Sequence, residues 1–253
     1  MKQHITAPAP RFLLRYFFLK QLLKQHSLVR RSFEEACEIG PGLGDVSSFF
    51  TAANDVTQMN LFEGSAQARE ILEKRFRGNG NISVRNEFSQ DDNRYQIVLC
   101  FEVIEHIEND EAFLTSIFAS LKQEGWFIGS VPAYMRKWQA IDELAGHFRR
   151  YEPSELYEKL SNAGFTDISV YIYGFPLTNI MFPFRQLAYG KKVNKRTSTD
   201  KAEMTAKSGI SRRTVRGLNT TLVYAIVKIA SSLQRLPGLS RLGDGLIFTC
   251  RKK

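Results

Sequence analysis

The sequence predicts an α/β fold in which a mostly parallel sheet is covered by helices on both faces. From residue 34 onward, short apolar runs alternate with helical stretches. A glycine-rich loop separates the first run from the first of these helices, and cap residues mark several helix ends. Because buried parallel strands are apolar on both faces, such runs indicate repeated βαβ units with right-handed crossovers.

The elements are predicted in chain order from these runs. Strands are expected at Ala36–Ile39, Val56–Met59, Ile82–Val84, Ile97–Phe101, Phe127–Val131, Ile168–Tyr173 and Gly245–Cys250. Helices are expected at Asp45–Ala53, Ser65–Phe76 and Asp110–Leu121, and from Pro153 to Gly164. Asn109 or Asp110 would cap the third helix, Gly125 would stop it, and Pro153 suits the first turn of the fourth.

Changes in composition divide the chain into four segments. These are a basic N-terminal helical segment (1–33), a core (34–173), a basic and partly helical insertion (174–244) and a final strand (245–253). The insertion contains an amphipathic helix at 218–236, whose spacing predicts one apolar face. That face would consist of Leu222, Ile226, Ile229, Leu233 and Leu236. It would pack on the domain, or else the insertion would dock on an anionic membrane or cover a lipid-linked substrate.

The net charge of +9 is concentrated at the two ends of the chain. Residues 1–33 hold seven basic and no acidic side chains, residues 34–189 hold 13 and 23, and residues 190–253 hold 15 and 3. Basic ends on an acidic body indicate an anionic partner, which would be a membrane surface, an anionic substrate or nucleic acid. Nucleic acid is the less favoured of these because the body is acidic.

The cysteines and the N-terminus predict a cytoplasmic location. Cys37, Cys100 and Cys250 lie far apart inside apolar runs, which indicates buried thiols without a disulfide or zinc framework. Arg11, Arg15 and Lys20 interrupt the N-terminal apolar stretch, so it does not read as a signal peptide. No apolar run approaches the ~20 residues that cross a bilayer. Membrane association would therefore be peripheral.

The stretch EIGPGLGD at residues 38–45 would place bare backbone and a helix N-terminus beside a ligand. It is not the dinucleotide fingerprint G-x-G-x-x-G, because Asp45 stands where the third glycine belongs. An aspartate at the helix start would also repel a pyrophosphate. A cationic ligand without phosphate fits this loop better.

The loop resembles the first motif of the class I S-adenosylmethionine (SAM)-dependent methyltransferases, whose fold is Rossmann-like with seven strands. Two further stretches carry the resemblance: CFEVIEHIENDEAFL at 100–114 and LKQEGWFIGSVPA at 121–133. They resemble the fourth strand, the following helix and the fifth strand of that family. The resemblance covers residues 34–173 and the terminal strand, and it implies SAM as the cofactor.

The resemblance also implies which residues bind SAM. Gly40, Gly42 and Gly44 would admit the methionine part of SAM, and Glu38 would orient the loop or meet the amino group. At the end of the second strand the family has an acid that grips the ribose; Asn60, followed by Leu61, takes that place here, with Glu63 as the reserve candidate. Glu87 would meet the adenine, and Cys100 and Phe101 would lie beside the methionine chain.

The stretch FEVIEH places Glu102, Glu105 and His106 at positions i, i+3 and i+4, at the carboxyl end of a central strand. Three interpretations remain open. His106 could be a general base for an acceptor hydroxyl. The three residues could bind a divalent metal with His147 as fourth ligand, as in the similar small-RNA 2′-O-methyltransferases and quinone-biosynthesis O-methyltransferases. The motif could also be structural, with Glu102 capping the turn.

His147 belongs to a second motif, G-H-x-R-R-Y, at residues 146–151. It resembles a subgroup of SAM methyltransferases in which this segment covers the acceptor pocket. Catalytic and anion-binding groups are therefore expected from this segment, unless its arginines pair with acids of the body such as Glu152. The expected groups are Asp142, His147, Arg149, Arg150 and Tyr151.

The function expected from the resemblance is SAM-dependent O-methylation of a small or lipid-linked acceptor, either a glycan intermediate or a quinone-like phenol. Two alternatives remain. One is an RNA methyltransferase with a metal-assisted E-x-x-E-H site, which the net charge favours. The other is a SAM-binding protein without catalysis, for which Asn60 is the only hint.

Overall fold

The computed structural model describes residues 10–88, 93–184, 204, 220–233 and 240–253. Seven helices are named here: α1 Pro10–Gln25, α2 Asp45–Ala53, α3 Ala66–Arg75, α4 Asp110–Ser120, α5 Ala140–Ala145, α6 Pro153–Asn162 and α7 Thr220–Leu233. The strands are β1 Ser32–Ile39, β2 Asp55–Phe62, β3 Ile82–Arg85, β4 Tyr95–Phe101, β5 Leu121–Pro132, β6 Thr166–Tyr173 and β7 Gly245–Arg251. Residues 177–184 are also helical.

The seven strands form one sheet in the order β3-β2-β1-β4-β5-β7-β6. All neighbours are parallel except β7, which runs antiparallel between β5 and β6. The predicted fold class is thereby confirmed. The strand order reverses between β1 and β4, and the carboxyl ends of strands at such a switch point frame a ligand crevice.

Alternation along the strands builds one core on each face of the sheet. Ala36 of β1 packs with helices α1, α2, α3 and α7, whereas its neighbour Cys37 packs with α4 and α6. Side chains that point alternately up and down explain the division. The N-terminal helix is part of the first core, since Leu14 and Leu23 are completely buried.

The predicted end of the third helix is wrong. Helix α4 begins after Asn109, which caps it by accepting a hydrogen bond from the amide of Ala112, but it ends at Ser120. Strand β5 starts at the next residue, Leu121, which pairs with β4. The left-handed conformation expected of Gly125 occurs instead at Glu124, at φ 62°.

The described part of the predicted apolar face of the insertion helix does not pack on the core. Helix α7 packs on α1 through a stripe of smaller residues, Val223, Val227 and Ala230, which are at most 4% exposed. The expected inner residues lie on the outside instead, with Leu222 51%, Ile226 43% and Ile229 64% exposed. The side chain of Leu233 and the whole of Leu236 lie outside the described residues. No helix among the described residues combines the length and apolar character needed to cross a membrane.

Candidate functional site

The glycine loop follows β1 at the switch point and turns by means of three left-handed residues. Gly40, Gly42 and Gly44 have φ values of 65°, 56° and 76°, which only glycine adopts without strain. At Gly40 a side chain is also excluded by space, because a Cβ would lie 2.4 Å from Cγ2 of Val103. The loop therefore has bare main chain at these three positions, at the edge of the sheet where the strand order reverses.

Glu38 links this loop to the helix behind it. The Ser47 hydroxyl of α2 donates a short hydrogen bond to Oε2 of Glu38, whose carboxyl is buried. Burial raises the pKa of Glu38 to about 7 despite that hydrogen bond. The carboxyl thus ties the end of β1 to the start of α2.

The polar residue that directly follows the end of β2 is Glu63, and Asn60 lies inside the strand. Strand β2 continues to Phe62, and Asn60 lies inside it, opposite Cys37. The Asn60 side chain is completely buried and bonds within the sheet, donating to Glu35 and accepting from the Ser83 hydroxyl. Leu61 is also completely buried, in the core that contains helices α1, α2, α3 and α7.

Glu63, the reserve candidate, stands beside the glycine loop. Its Oε2 accepts a hydrogen bond from the Gly42 amide at 3.0 Å, and its Oε1 accepts one from the Ser65 amide at 2.9 Å. The carboxylate is thereby held at the carboxyl edge of β2, where a ribose acid is expected. Glu87, the expected adenine contact, is exposed after β3.

The end of β4 is occupied by Glu102, which an arginine pair from α1 holds. Arg11 lies 3.2 Å and Arg15 3.4 Å from its carboxylate. The hydroxyls of Ser130 and Tyr173 donate to the same Oε1 at 2.9 and 3.3 Å. Burial opposes ionisation, but the two arginine charges outweigh it and lower the pKa of Glu102 to about 2.

Arg15 also lies near residues at the ends of β4 and β1. Its guanidinium lies 5.8 Å from the ring centre of Phe101, and its charge acts on Glu38. Phe101 and Cys100 are both buried at the end of β4. Sequence reasoning missed the two arginines because their partner Glu102 is about ninety residues away; the only signal was their i, i+4 spacing in a segment without acids.

Three of the four predicted metal ligands come together. One ligand atom each of Glu105, His106 and His147 lies within 4.8 Å of the others, and the two imidazole rings meet edge to face at 4.6 Å. Glu105 and His106 stand on a single 3₁₀ turn after β4, and His147 follows α5. Glu102 is directed to the arginines and is not a member of this group.

Glu105 is the chemically unusual member of the cluster. It is completely buried, and neither of its carboxylate oxygens has a hydrogen-bond partner among the residues that the structure describes. Burial, followed by the charge of Glu102, raises the pKa of Glu105 well above its usual value. A carboxylate placed in this way favours a cation as partner.

The two histidines of the cluster are each held by a neighbouring polar group. Nδ1 of His147 pairs with Asp142 at 2.9 Å, which leaves Nε2 facing Glu105 at 4.0 Å. Hydrogen bonds from His147 and Arg150 outweigh burial and lower the pKa of Asp142 to about 2. His106 donates to the backbone of Gly146, and burial lowers the pKa of His106 to about 3. A neutral imidazole held by a carboxylate or a backbone group suits metal ligation.

The remaining residues of the G-H-x-R-R-Y motif are internally paired. Arg150 is 1% exposed and bonds to Asp142 at 2.7 Å. Arg149 and the Tyr151 hydroxyl both reach Asp110, each at 2.8 Å. These side chains hold the segment against the body, and the structure does not present them to an anionic substrate. Pairing with body acids was foreseen, but the partners are Asp110 and Asp142.

Comparisons with known proteins show the family to which this sequence is similar. A family model described as a methyltransferase domain matches residues 11–170. Ubiquinone biosynthesis O-methyltransferases are similar: that of Rickettsia bellii is 27% identical over 152 residues, covering 51% of this chain and 60% of its own, and that of Rickettsia felis is 27% identical over 155 residues, covering 54% and 61%. The chain thus spans about three fifths of the length of these relatives.

Solved structures share the fold at low sequence identity. Phosphoethanolamine N-methyltransferase 2 of Haemonchus contortus, in complex with SAM, has a TM-score of 0.56 at 15% identity, covering 92% of this chain and 52% of its own. The YcgJ protein of Bacillus subtilis has a TM-score of 0.58 at 13% identity, covering 94% and 99%. Since the family model spans more than half of the sequence, this chain belongs to the methyltransferase domain family.

Proposed function

We propose that this chain transfers the methyl group of SAM to a hydroxyl group of a small or lipid-linked, quinone-like acceptor. The observation that carries the proposal is the cluster of Glu105, His106 and His147 at the end of the strand next to the glycine loop. The glycine loop and the cluster would both face the ligand crevice expected at the switch point. The names of the Rickettsia relatives support a quinone-like acceptor.

The glycine loop and its surroundings suit SAM. The bare main chain at Gly40 and Gly42 would admit the methionine chain, and Glu63 would accept hydrogen bonds from the ribose hydroxyls. Arg15 would bind the methionine carboxylate, because its guanidinium lies 3.4 Å from Glu102 and 5.8 Å from the ring centre of Phe101, at the end of β4. The cationic sulfonium would then lie near carboxylates instead of the phosphate-binding groups of a dinucleotide site.

A divalent metal ion fits the cluster. Glu105 would supply an oxygen, His147 its Nε2 and His106 a ring nitrogen. The orphaned, buried carboxylate of Glu105 is the feature that favours a cation there. When bound, such an ion would act as a Lewis acid that lowers the pKa of an acceptor hydroxyl. Asp142 would act as a positioning residue that fixes the tautomer of His147.

Without a metal, His106 would be the candidate general base. Burial lowers the pKa of His106 to about 3, so the imidazole is neutral but only weakly basic, and it would accept a hydrogen bond from the acceptor hydroxyl more readily than its proton. Transfer itself is an in-line displacement at the sulfonium carbon, so the chain mainly has to align donor and acceptor.

The chain would act in the cytoplasm, at the surface of an anionic membrane. The three cysteines are free and buried, as a reducing compartment allows. The basic segments at both ends favour contact with anionic lipid. A lipid-linked acceptor would be reached from that position.

A labelled-methyl transfer assay tests the proposal. The full chain is incubated with methyl-labelled SAM and, separately, with catechol quinone precursors, glycan lipids and RNA, each with Mg²⁺ or with EDTA. Metal-stimulated labelling of the catechol fraction is expected. Labelling of RNA alone would replace the acceptor class, and labelling that EDTA leaves unchanged would remove the metal.

A further inference from the structure

Helix α7 carries two apolar stripes, and α1 covers only one of them. Val223, Val227 and Ala230 are buried against the core that contains α1. Leu222, Ile226 and Ile229 stand about 100° further around the helix and are 43–64% exposed. We call these three side chains the outer stripe. Helices that are apolar over such a wide arc normally have partners on both sides, so the outer stripe marks a contact surface.

The sequence of α7 and of the segments that flank it along the chain is mostly basic. The helix has a lysine, Lys228, and no acidic residue, and residues 190–240 hold eleven basic and two acidic side chains. An apolar stripe with basic flanks is the composition of helices that lie in the surface of anionic bilayers. A second copy of the chain would instead bring lysine toward lysine, with no acid on the helix to offset the repulsion.

We propose that the outer stripe of α7 docks into the surface of an anionic lipid bilayer. The stripe would enter the interface between headgroups and acyl chains, while Lys228 would contact lipid phosphates. The proposal names the element behind the membrane contact proposed above; its purpose rests on the proposed function, but the binding itself does not depend on SAM or on catalysis.

The outer stripe and the candidate site are connected through helix α1. Helix α7 packs on α1, and α1 carries Arg11 and Arg15, which hold Glu102 at the end of β4. A bilayer bound by α7 would therefore lie on the side of the sheet from which α1 approaches the crevice. A lipid-linked acceptor would have a short path between the two.

Vesicle co-sedimentation tests the surface directly. The full chain and a triple variant, Leu222→Gln, Ile226→Gln and Ile229→Gln, are sedimented with vesicles of phosphatidylcholine alone or mixed with phosphatidylglycerol. Glutamine keeps the helix propensity of these exposed positions. The matched control is Tyr157→Gln, since Tyr157 is 50% exposed on α6, on the other face of the sheet.

The wild type and the control should bind the phosphatidylglycerol vesicles, and binding should weaken with salt. The triple variant should bind at least about tenfold more weakly, because three aliphatic side chains no longer leave water. Equal binding by the triple variant and the wild type would overturn the proposal. So would a wild type that ignores vesicles but forms a dimer in sedimentation velocity that the triple variant lacks. Unchanged SAM affinity of the triple variant, measured by calorimetry, separates these outcomes from failure of the cofactor site.

Discussion

The buried carboxylate of Glu105 allows a prediction in which one substitution has opposite effects on stability and on metal binding. This carboxyl is completely buried and has no hydrogen-bond partner among the described residues. Because burial raises the pKa of Glu105 well above its usual value, folding at neutral pH must either protonate the carboxyl or bury it as an unpaired charge, and either change costs about 1–3 kcal/mol or more. Glu105→Gln removes the ionisable group at nearly constant volume. We expect the metal-free variant to be more stable than the wild type by about 1–3 kcal/mol.

A saturating metal ion should offset or reverse the difference in stability between the variant and the wild type. A ligand at 100 times its dissociation constant stabilises the state that binds it by about 2.7 kcal/mol. The wild type should gain stability of this size with saturating Mg²⁺ or Mn²⁺, whereas Glu105→Gln should gain almost none. Thermal unfolding followed by circular dichroism measures both quantities, since 1 kcal/mol shifts the midpoint by roughly 2–4 °C in a chain of this size.

The control for this experiment is Glu158→Gln, which makes the same chemical change at an exposed position of α6. It should behave as the wild type does, with and without metal. The reasoning fails if Glu105→Gln destabilises the metal-free chain. It also fails if that variant keeps the full stabilisation by metal, because the ion would then bind elsewhere.

Four further substitutions test the residues proposed to surround the cofactor. Glu63→Gln should weaken SAM binding about tenfold in calorimetry, because it removes the carboxylate proposed to bind the ribose. Asn60→Ala should leave the SAM affinity within about twofold and lower only the stability. A larger loss of SAM affinity for Asn60→Ala than for Glu63→Gln would restore Asn60 as the ribose residue. Gly40→Ala should lower the free energy of unfolding in urea by at least about 1–2 kcal/mol, because of its positive φ and the contact with Val103. An unchanged urea midpoint would contradict this. Glu38 has a pKa raised from 4.5 to about 7, so its stabilising effect is complete below pH 4.5 and is lost as the pH rises to about 7. Glu38→Gln should therefore remove a fall of up to about 3 kcal/mol across that range, and parallel stability curves for the two proteins would exclude it.

The sheet and the loop were predictable because their signals are local. Buried parallel strands appear as continuous apolar runs, and the predicted runs all lie inside observed strands. The three glycines were informative because each occupies a left-handed position that other residues avoid. The same holds for the cap at Asn109 and for the start of α6 at Pro153.

Features that depend on distant pairing were not predictable. The end of β2 is set by its register with β1, which places Asn60 opposite Cys37 and moves the strand end to Phe62. The start of β5 at Leu121 is likewise fixed by pairing with β4. Neither register can be read from the strand that it determines.

The face of α7 illustrates the same limit for helices. Two stripes satisfy helical spacing, one of large residues and one of smaller ones, and sequence alone favours the larger, more apolar stripe. The smaller residues of Val223, Val227 and Ala230 instead pack against α1. The arginines of α1 were missed for a related reason, since their carboxylate partner Glu102 comes about ninety residues later in the sequence.

Isothermal titration of the full, metal-free chain with SAM and with S-adenosylhomocysteine is the most direct test of the account. If the bare main chain of the glycine loop receives the cofactor, both compounds should bind once per chain, with dissociation constants well below about 1 mM. Gly40→Ala should weaken both. A chain that gives no binding signal with either compound at millimolar concentration would contradict the account at its centre.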